Sequence, residues 1–193
     1  MKFLIPLTCA ALLAACAPSF QTTSGAEFVA ARPGFIDPEI AAAAAVEPDL
    51  RFPARIGVAR LTGYGELSAP SGEEVQALGR IAAVAQLGAV VPLTSFALDS
   101  EDRGSRLDQM ELRKIAARQH ADYLVIYQLN TRGRTGLAEA AFIDVRNGYI
   151  YANTQATAGI GWMGQERAEA RLAKALMPEI EAMAEGLAAR AGR

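Results

Sequence analysis

The chain has 193 residues, with 19 basic and 21 acidic side chains, a formal net charge of −2 and 51% apolar residues. This slightly acidic balance lacks the basic footprint of a nucleic-acid binder, so no nucleic acid is expected as a partner. The length fits one domain plus a tether rather than two full domains.

In chain order, the first signal is a leader. Lys2 is its one charged side chain, and residues 3–15 form an apolar run too short to cross a bilayer. A charged start, a short apolar middle and small residues at a cut site make a secretory signal, assigned here to residues 1–15. Leu13-Ala14-Ala15-Cys16 then resembles the lipobox of bacterial lipoproteins. The resemblance implies cleavage between Ala15 and Cys16, a diacylglycerol on the Cys16 thiol, and a further acyl chain such as palmitate on the new amino group. Ala17 follows the cysteine where aspartate would mark inner-membrane retention, so the same resemblance implies the periplasmic face of the outer membrane. Each buried methylene contributes about 0.8 kcal/mol and one chain holds only marginally, so two or three chains make a lasting bilayer anchor. Ala15-Cys16-Ala17 also fits an A-x-A site for ordinary signal peptidase, which would release a soluble periplasmic protein. Without the leader, 18 basic and 21 acidic side chains remain. Cys9 departs with the leader and Cys16 carries lipid, so the domain is expected to rely on its apolar core and not on a disulfide.

Residues 16–49 read as a lipidated tether. Up to about residue 35 they are Ser, Thr, Gln, Gly, Pro and Ala without a helical or strand period. A coil of about 20 residues reaches on the order of 25 Å, enough to lift a domain off the headgroups. Asp37-Pro38 then marks a helix start, and the Ala-rich run that follows ends before Pro48. A helix this short is marginal alone and requires Ile40 and Val46 to dock on the domain.

The domain is assigned to residues 50–193. Residues 54–61 alternate Ile56, Val58 and Arg60 against Arg55, Gly57 and Ala59, which predicts a strand ended by Gly63 and Gly65. Ser71 with Glu74 three on is a capping box opening a helix to residue 87, with Val75, Leu78 and Ala82 inward and Gly88 as its C′ glycine. Residues 89–98 read as a strand that Pro92 confines to an edge or a bulge. Ser105, with Asp108 three on, caps a helix to residue 119 with Leu107, Met110 and Ile115 inward. Residues 122–129, DYLVIYQL, suit a central strand covered on both faces. Residues 136–145 and 149–158 flank Asn147-Gly148, a hairpin signal whose two turn residues would both take positive φ. Residues 165–189 form an amphipathic helix with Leu172, Leu176, Ile180, Met183 and Leu187 on one stripe and Pro178 as an expected kink. The fold class is therefore α+β, an α/β sandwich of order β-α-β-α-β-β-β-α with helices packed on one mixed sheet.

The block LRKIAARQHADYLVIY at 112–127, with IDVRNGYIYANT at 143–154, resembles the α/β domain shared by the curli-secretion lipoprotein, the lipoprotein activators of penicillin-binding proteins and the amino-terminal domain of TolB. It also resembles the shorter envelope lipoproteins called rhombotargets. The resemblance implies a scaffold, not a shared partner. One departure is His120, where that pattern has glycine at a left-handed helix cap.

Candidate chemistry is sparse. Residues 159–164, GIGWMG, match G-x-G-x-x-G, yet they follow a hairpin strand and no parallel strand comes after them, so no dinucleotide cofactor is expected. His120 is the single histidine, without a recognisable nucleophile motif around it, and its place at a helix C-terminus fits the negative end of the dipole. No catalytic, cofactor or metal residue is assigned. Asp99, Glu101 and Asp102 lack the spacing of an EF-hand. Arg132 and Arg134, flanking Gly133 at the end of the central strand with Arg103 and Arg106 as candidate neighbours, are the candidate anion or partner contact. Their guanidiniums suit carboxylates of peptidoglycan stems or of a protein partner. The chain thus reads as a non-enzymatic outer-membrane lipoprotein that docks another envelope protein. The alternatives are a subunit of a secretion or cell-wall assembly complex and a hydrolase with dispersed active-site residues.

Overall fold

The computed structural model describes residues 49–94 and 106–192, together with Pro38 and Ala42, which are both helical and exposed. Cys16, the rest of the expected tether and residues 95–105, with the end of the strand expected over 89–98, lie outside the described residues. The elements are β1 (Ala54–Leu61), β2 (Leu67–Ser68), α1 (Gly72–Val84), β3 (Gly88–Pro92), α2 (Gln109–Arg118), β4 (Tyr123–Asn130), β5 (Thr135–Asp144), β6 (Ile150–Gly159) and α3 (Gln165–Ala191). Within residues 49–94 and 106–192 they form an α+β fold: three helices on an open, mixed six-stranded sheet. The order differs from expectation by β2, two residues that pair antiparallel with the end of β1 after the Gly63–Gly65 turn.

β1 is the organising strand. It runs parallel to β4 on one side and parallel to β3 on the other, with β2 completing that second edge. β4, β5 and β6 continue as an antiparallel meander. The crossover through α1 moves to one side of β1 and the crossover through α2 moves back past it. Right-handed connections in opposite directions place their helices on opposite faces. Two separate cores result. Ile56, Val58, Tyr123, Val125, Tyr127 and Phe142 meet α1 and α3 on one face. Ala59, Leu61 and Leu124 meet Leu112, Ile115 and Ala116 of α2 on the other.

α3 carries the larger share of the first core. Leu172, Leu176 and Leu187 are fully buried, and Ile180 and Met183 nearly so. Each such side chain contributes about 1.5–3 kcal/mol on burial. The helix runs unbroken through Pro178, whose ring is exposed, so the Lys174 carbonyl that it deprives of a partner is on the side open to solvent. Both other helices begin with a capping box, Ser71–Glu74 and Asp108–Glu111. The second corrects the expected cap at Ser105, and it leaves Met110 exposed instead of inward.

Three further expectations change. α1 stops at Val84 instead of residue 87, and the left-handed residue after it is Gln86 (φ 53°), not Gly88. Gly88 instead opens β3 at φ 117°, pressed against the backbone of Ala54. In the hairpin only Gly148 has positive φ; Asn147 does not, because the loop spans residues 145–149 and is held by Asp144 and Asn147 side chains accepting from the Arg146 and Tyr149 amides. Finally, β4 is covered on both faces only over its first half. α2 has ten residues, about 15 Å at 1.5 Å each, and leaves Ile126 and Gln128 half exposed. His120 does adopt the left-handed conformation (φ 57°) that glycine would take there.

Candidate functional site

Two ends of the sheet carry chemistry of different kinds. At the end where β4 begins, Asp144 is fully buried. Arg146 grips both of its oxygens, Nη2 to Oδ2 at 2.8 Å and Nε to Oδ1 at 3.2 Å, and the Tyr151 hydroxyl donates to Oδ2 at 3.3 Å. Tyr123, Phe142, Tyr151 and Phe52 pack around this corner as tilted and edge-on rings, and the Arg51 amide donates to the Tyr123 hydroxyl at 2.9 Å. The described chain therefore enters the domain at this end.

Burial alone would raise the Asp144 pKa. Hydrogen bonds from the Arg146 side chain and amide, with the guanidinium charge, outweigh it and hold the carboxyl below its usual range. Burial and the facing Asp144 carboxylate push the Tyr151 phenol up. A carboxyl whose folded pKa is depressed contributes stability that is complete above its unfolded pKa of about 3.9 and is lost as pH falls through the lower folded value. Asp144→Asn should therefore lower stability by about 1.5–3 kcal/mol at neutral pH and flatten the acid limb of stability below about pH 4. Denaturant melts across pH check this, and parallel acid limbs in both proteins would remove Asp144 from the response.

The opposite end gathers the expected arginines. Arg132 and Arg134 occupy the β4–β5 turn, which Gly133 makes possible at φ 86° and in which Asn130 Oδ1 accepts from the Arg132 amide. The Arg132 guanidinium lies over the Tyr64 ring, 5.1 Å from its centroid, and Arg134 lies over Trp162 at 5.2 Å. Tyr64 belongs to the β1–β2 turn, tied by Thr62 amide and carbonyl bonds to Glu66 and Gly65. Trp162 belongs to the β6–α3 link, whose Ile160 and Gly161 amides donate to the Arg134 carbonyl. Tyr64 is 69% exposed, Trp162 90% and Met163 43%. Among the described residues neither Arg132 nor Arg134 faces a carboxylate within ion-pair distance. Arg106 packs on Gly65 in the same turn; Arg103 lies outside the described residues.

Exposed cation–π pairs contribute about 0.5–1 kcal/mol each, enough to orient a guanidinium without neutralising it. Single exposed aromatics are ordinary; a tryptophan, a tyrosine and two arginines on adjoining turns have the composition of a contact hot spot. The glycines of residues 159–164 serve the turn that presents Trp162. β6 before them is antiparallel to its neighbour, which is not the setting of a dinucleotide site. Tyr64 and Trp162 were not singled out from sequence. Their one signal there was a bulky aromatic set in a glycine-rich turn.

A third feature is the part of the second sheet face that α2 leaves open. It forms a groove of about 470 Å³, with Leu61, Ile126 and Ile143 as floor and Gln128, Glu139 and Asn153 among its polar lining. Among the described residues no group of three or more His, Cys, Asp or Glu side chains is placed to hold a metal ion, and no helix is long and apolar enough to cross a membrane.

No protein-family model and no curated protein matches the chain. Among solved structures it is similar to a PelC dodecamer from Paraburkholderia phytofirmans, with 18% identity over 69% of this chain and 92% of that one and a TM-score of 0.39. It is also similar to the C-terminal domain of LpoB from Salmonella enterica, at 15% identity over 55% and 83% of the two chains and a TM-score of 0.40. A lipoprotein of Neisseria meningitidis aligns at 16% identity over 66% and 96%, again at 0.40. At these identities and scores nothing is carried over from them, neither a residue's role nor a function.

Proposed function

We propose that the protein is a non-enzymatic envelope lipoprotein, held by acyl chains on Cys16 at the periplasmic face of the outer membrane, whose domain docks a protein partner through Arg132, Arg134, Tyr64 and Trp162. The observation that carries the docking reading is the position of this exposed patch. The described chain enters beside Tyr123 and Phe142, and the patch lies at the other end of β4, about 27 Å away for eight residues of strand. A tether attached at one end leaves the opposite end free to meet a neighbour. Two oriented guanidiniums suit carboxylates there, and the flanking rings supply contact area.

Two experiments test the two halves. Growth with a palmitate analogue should label the protein, and Cys16→Ser should abolish the label; labelling that survives the substitution ends the anchor reading. Arg132→Ala combined with Arg134→Ala should reduce capture of crosslinked envelope partners by about tenfold, the equivalent of about 1.4 kcal/mol, with the melting temperature unmoved. Sedimentation with purified peptidoglycan reads the same guanidiniums against stem carboxylates. Undiminished protein capture by the double variant retires the patch.

A further inference from the structure

The groove beside α2 carries apolar and polar groups in separate rows. The strand registers set Ile126, Ala141 and Asn153 abreast on this face, and Gln128 faces Glu139 in the next row. Two residues of strand separate the rows, about 7 Å. Leu61 and Ile143 extend the apolar floor, and Gln109 of α2 stands at the wall. At about 470 Å³ the groove has the size of a small-ligand cleft.

Its polar groups are set to receive hydrogen bonds. Gln128 Nε2 donates to the Thr62 carbonyl at 2.9 Å, and Gln109 Nε2 donates to the Gly148 carbonyl at 3.1 Å. Only an N–H can meet a carbonyl, so each amide is held with its own oxygen turned away from that bond. Glu139 is an acceptor with a full negative charge. It is the one charged side chain of the lining, and among the described residues no Lys or Arg lies within ion-pair distance of it. One carboxylate, amide oxygens and an apolar floor are complementary to an ammonium on an aliphatic stem, which is the chemistry of a single lysine. A diamine would bring a second charge that nothing in the lining neutralises.

We propose that this groove binds a lysine side chain presented by an extended peptide of another protein. The ammonium sits on Glu139 beside the Gln128 oxygen, the stem lies over Ala141 and Ile126, and the peptide backbone passes Asn153. The spacing of the two rows is one that the flexible stem of a lysine spans. Asn153 is exposed, and its amide offers both the donor and the acceptor that a peptide group requires. The assignment does not rest on Arg132, Arg134, Tyr64 or Trp162, none of which lines the groove.

The test uses the full chain and three probes: an acetylated and amidated Ala-Lys-Ala peptide, the same peptide with norleucine in place of lysine, and putrescine. Calorimetry gives the affinities, and the methyl signals of Ile126 report where each probe binds. The lysine peptide should bind about tenfold more tightly than the norleucine peptide, because a charged hydrogen bond is lost in the exchange. Glu139→Gln keeps the shape and removes the charge, so it should bring the two affinities together. The melting temperature should not move, since Glu139 is exposed and makes no ion pair among the described residues. Equal affinities in the wild-type chain, no binding at millimolar peptide, or a lysine preference that survives Glu139→Gln overturns the proposal. So does putrescine binding as tightly as the lysine peptide, which would make this a site for free amines. Arg132→Ala with Arg134→Ala should leave the lysine preference intact, which separates failure of this groove from failure of the docking patch.

Discussion

Arg60→Ala should destabilise the domain by about 3–5 kcal/mol, the usual cost of stripping one partner from a buried ion pair. Arg60 projects from β1 between the two helices of the first face, and its side chain is 12% exposed. Its Nη2 donates to Glu169 Oε2 of α3 at 2.5 Å, its Nη1 to Ser68 Oγ of β2 at 2.7 Å, and its Nε lies 3.4 Å from Glu74 Oε1 of α1. One guanidinium thus ties four elements. Without it two largely buried carboxylates, Glu74 at 6% and Glu169 at 18% exposure, lose the cation they share. The Tyr127 phenol, already pushed up by burial and by Glu74, leaves no compensating charge. Arg60→Met should lose nearly as much, and adding Glu74→Gln and Glu169→Gln should restore at least about half, because buried ion clusters are often replaceable once every charge is removed together. Gln retains the Ser71 capping box, since its side-chain oxygen can accept from the Ser71 amide as Glu74 does. Urea melts of the single and triple variants decide this; additive losses would mean that the three side chains act independently.

Gly88→Ala is the second large effect. Gly88 sits at φ 117°, and a Cβ built there would stand 2.1 Å from the Ala54 carbonyl oxygen and 2.6 Å from its nitrogen. Both obstacles are backbone of β1, so no side chain can rotate away. The Leu87 carbonyl accepts from the Ala54 amide at 2.8 Å in the same place, which is why the two backbones are so close. The substitution must break the first pair of the β1–β3 ladder, at a cost of about 3 kcal/mol or more from clash and backbone strain together. That corresponds to a fall in melting temperature on the order of 10 °C for a domain of this size. Gly79→Ala is the control. It lies in α1 with open space around it, and should stabilise by about 0.5–1 kcal/mol through helix propensity. A Gly88 variant that melts with the wild type would show that β3 can slide off β1 without loss.

Much of the fold was legible locally. β1 matched its expected limits because alternation over eight residues is a short-range pattern, and the Ser71 capping box and the α3 stripe were equally self-contained. Arg60 fell on the apolar face of that alternation, a signal that it would need buried partners. The partners themselves were not legible, because Glu169 lies 109 residues away. Arg132 and Arg134 stood out as paired cations, whereas the rings beneath them come from turns about 70 and 30 residues distant in the chain and carry no mark of their own.

What the amino-acid order determined by itself is therefore the set of elements and which stripe of each is apolar, because capping, periodicity and turn chemistry are settled within a few residues. The tertiary structure decided how those stripes are shared out. Opposed crossovers about β1 put α1 and α3 on one face and α2 on the other, closed the guanidinium of Arg60 between two helices, and stacked two arginines on Tyr64 and Trp162. It also put β6 last in the strand order of the described sheet.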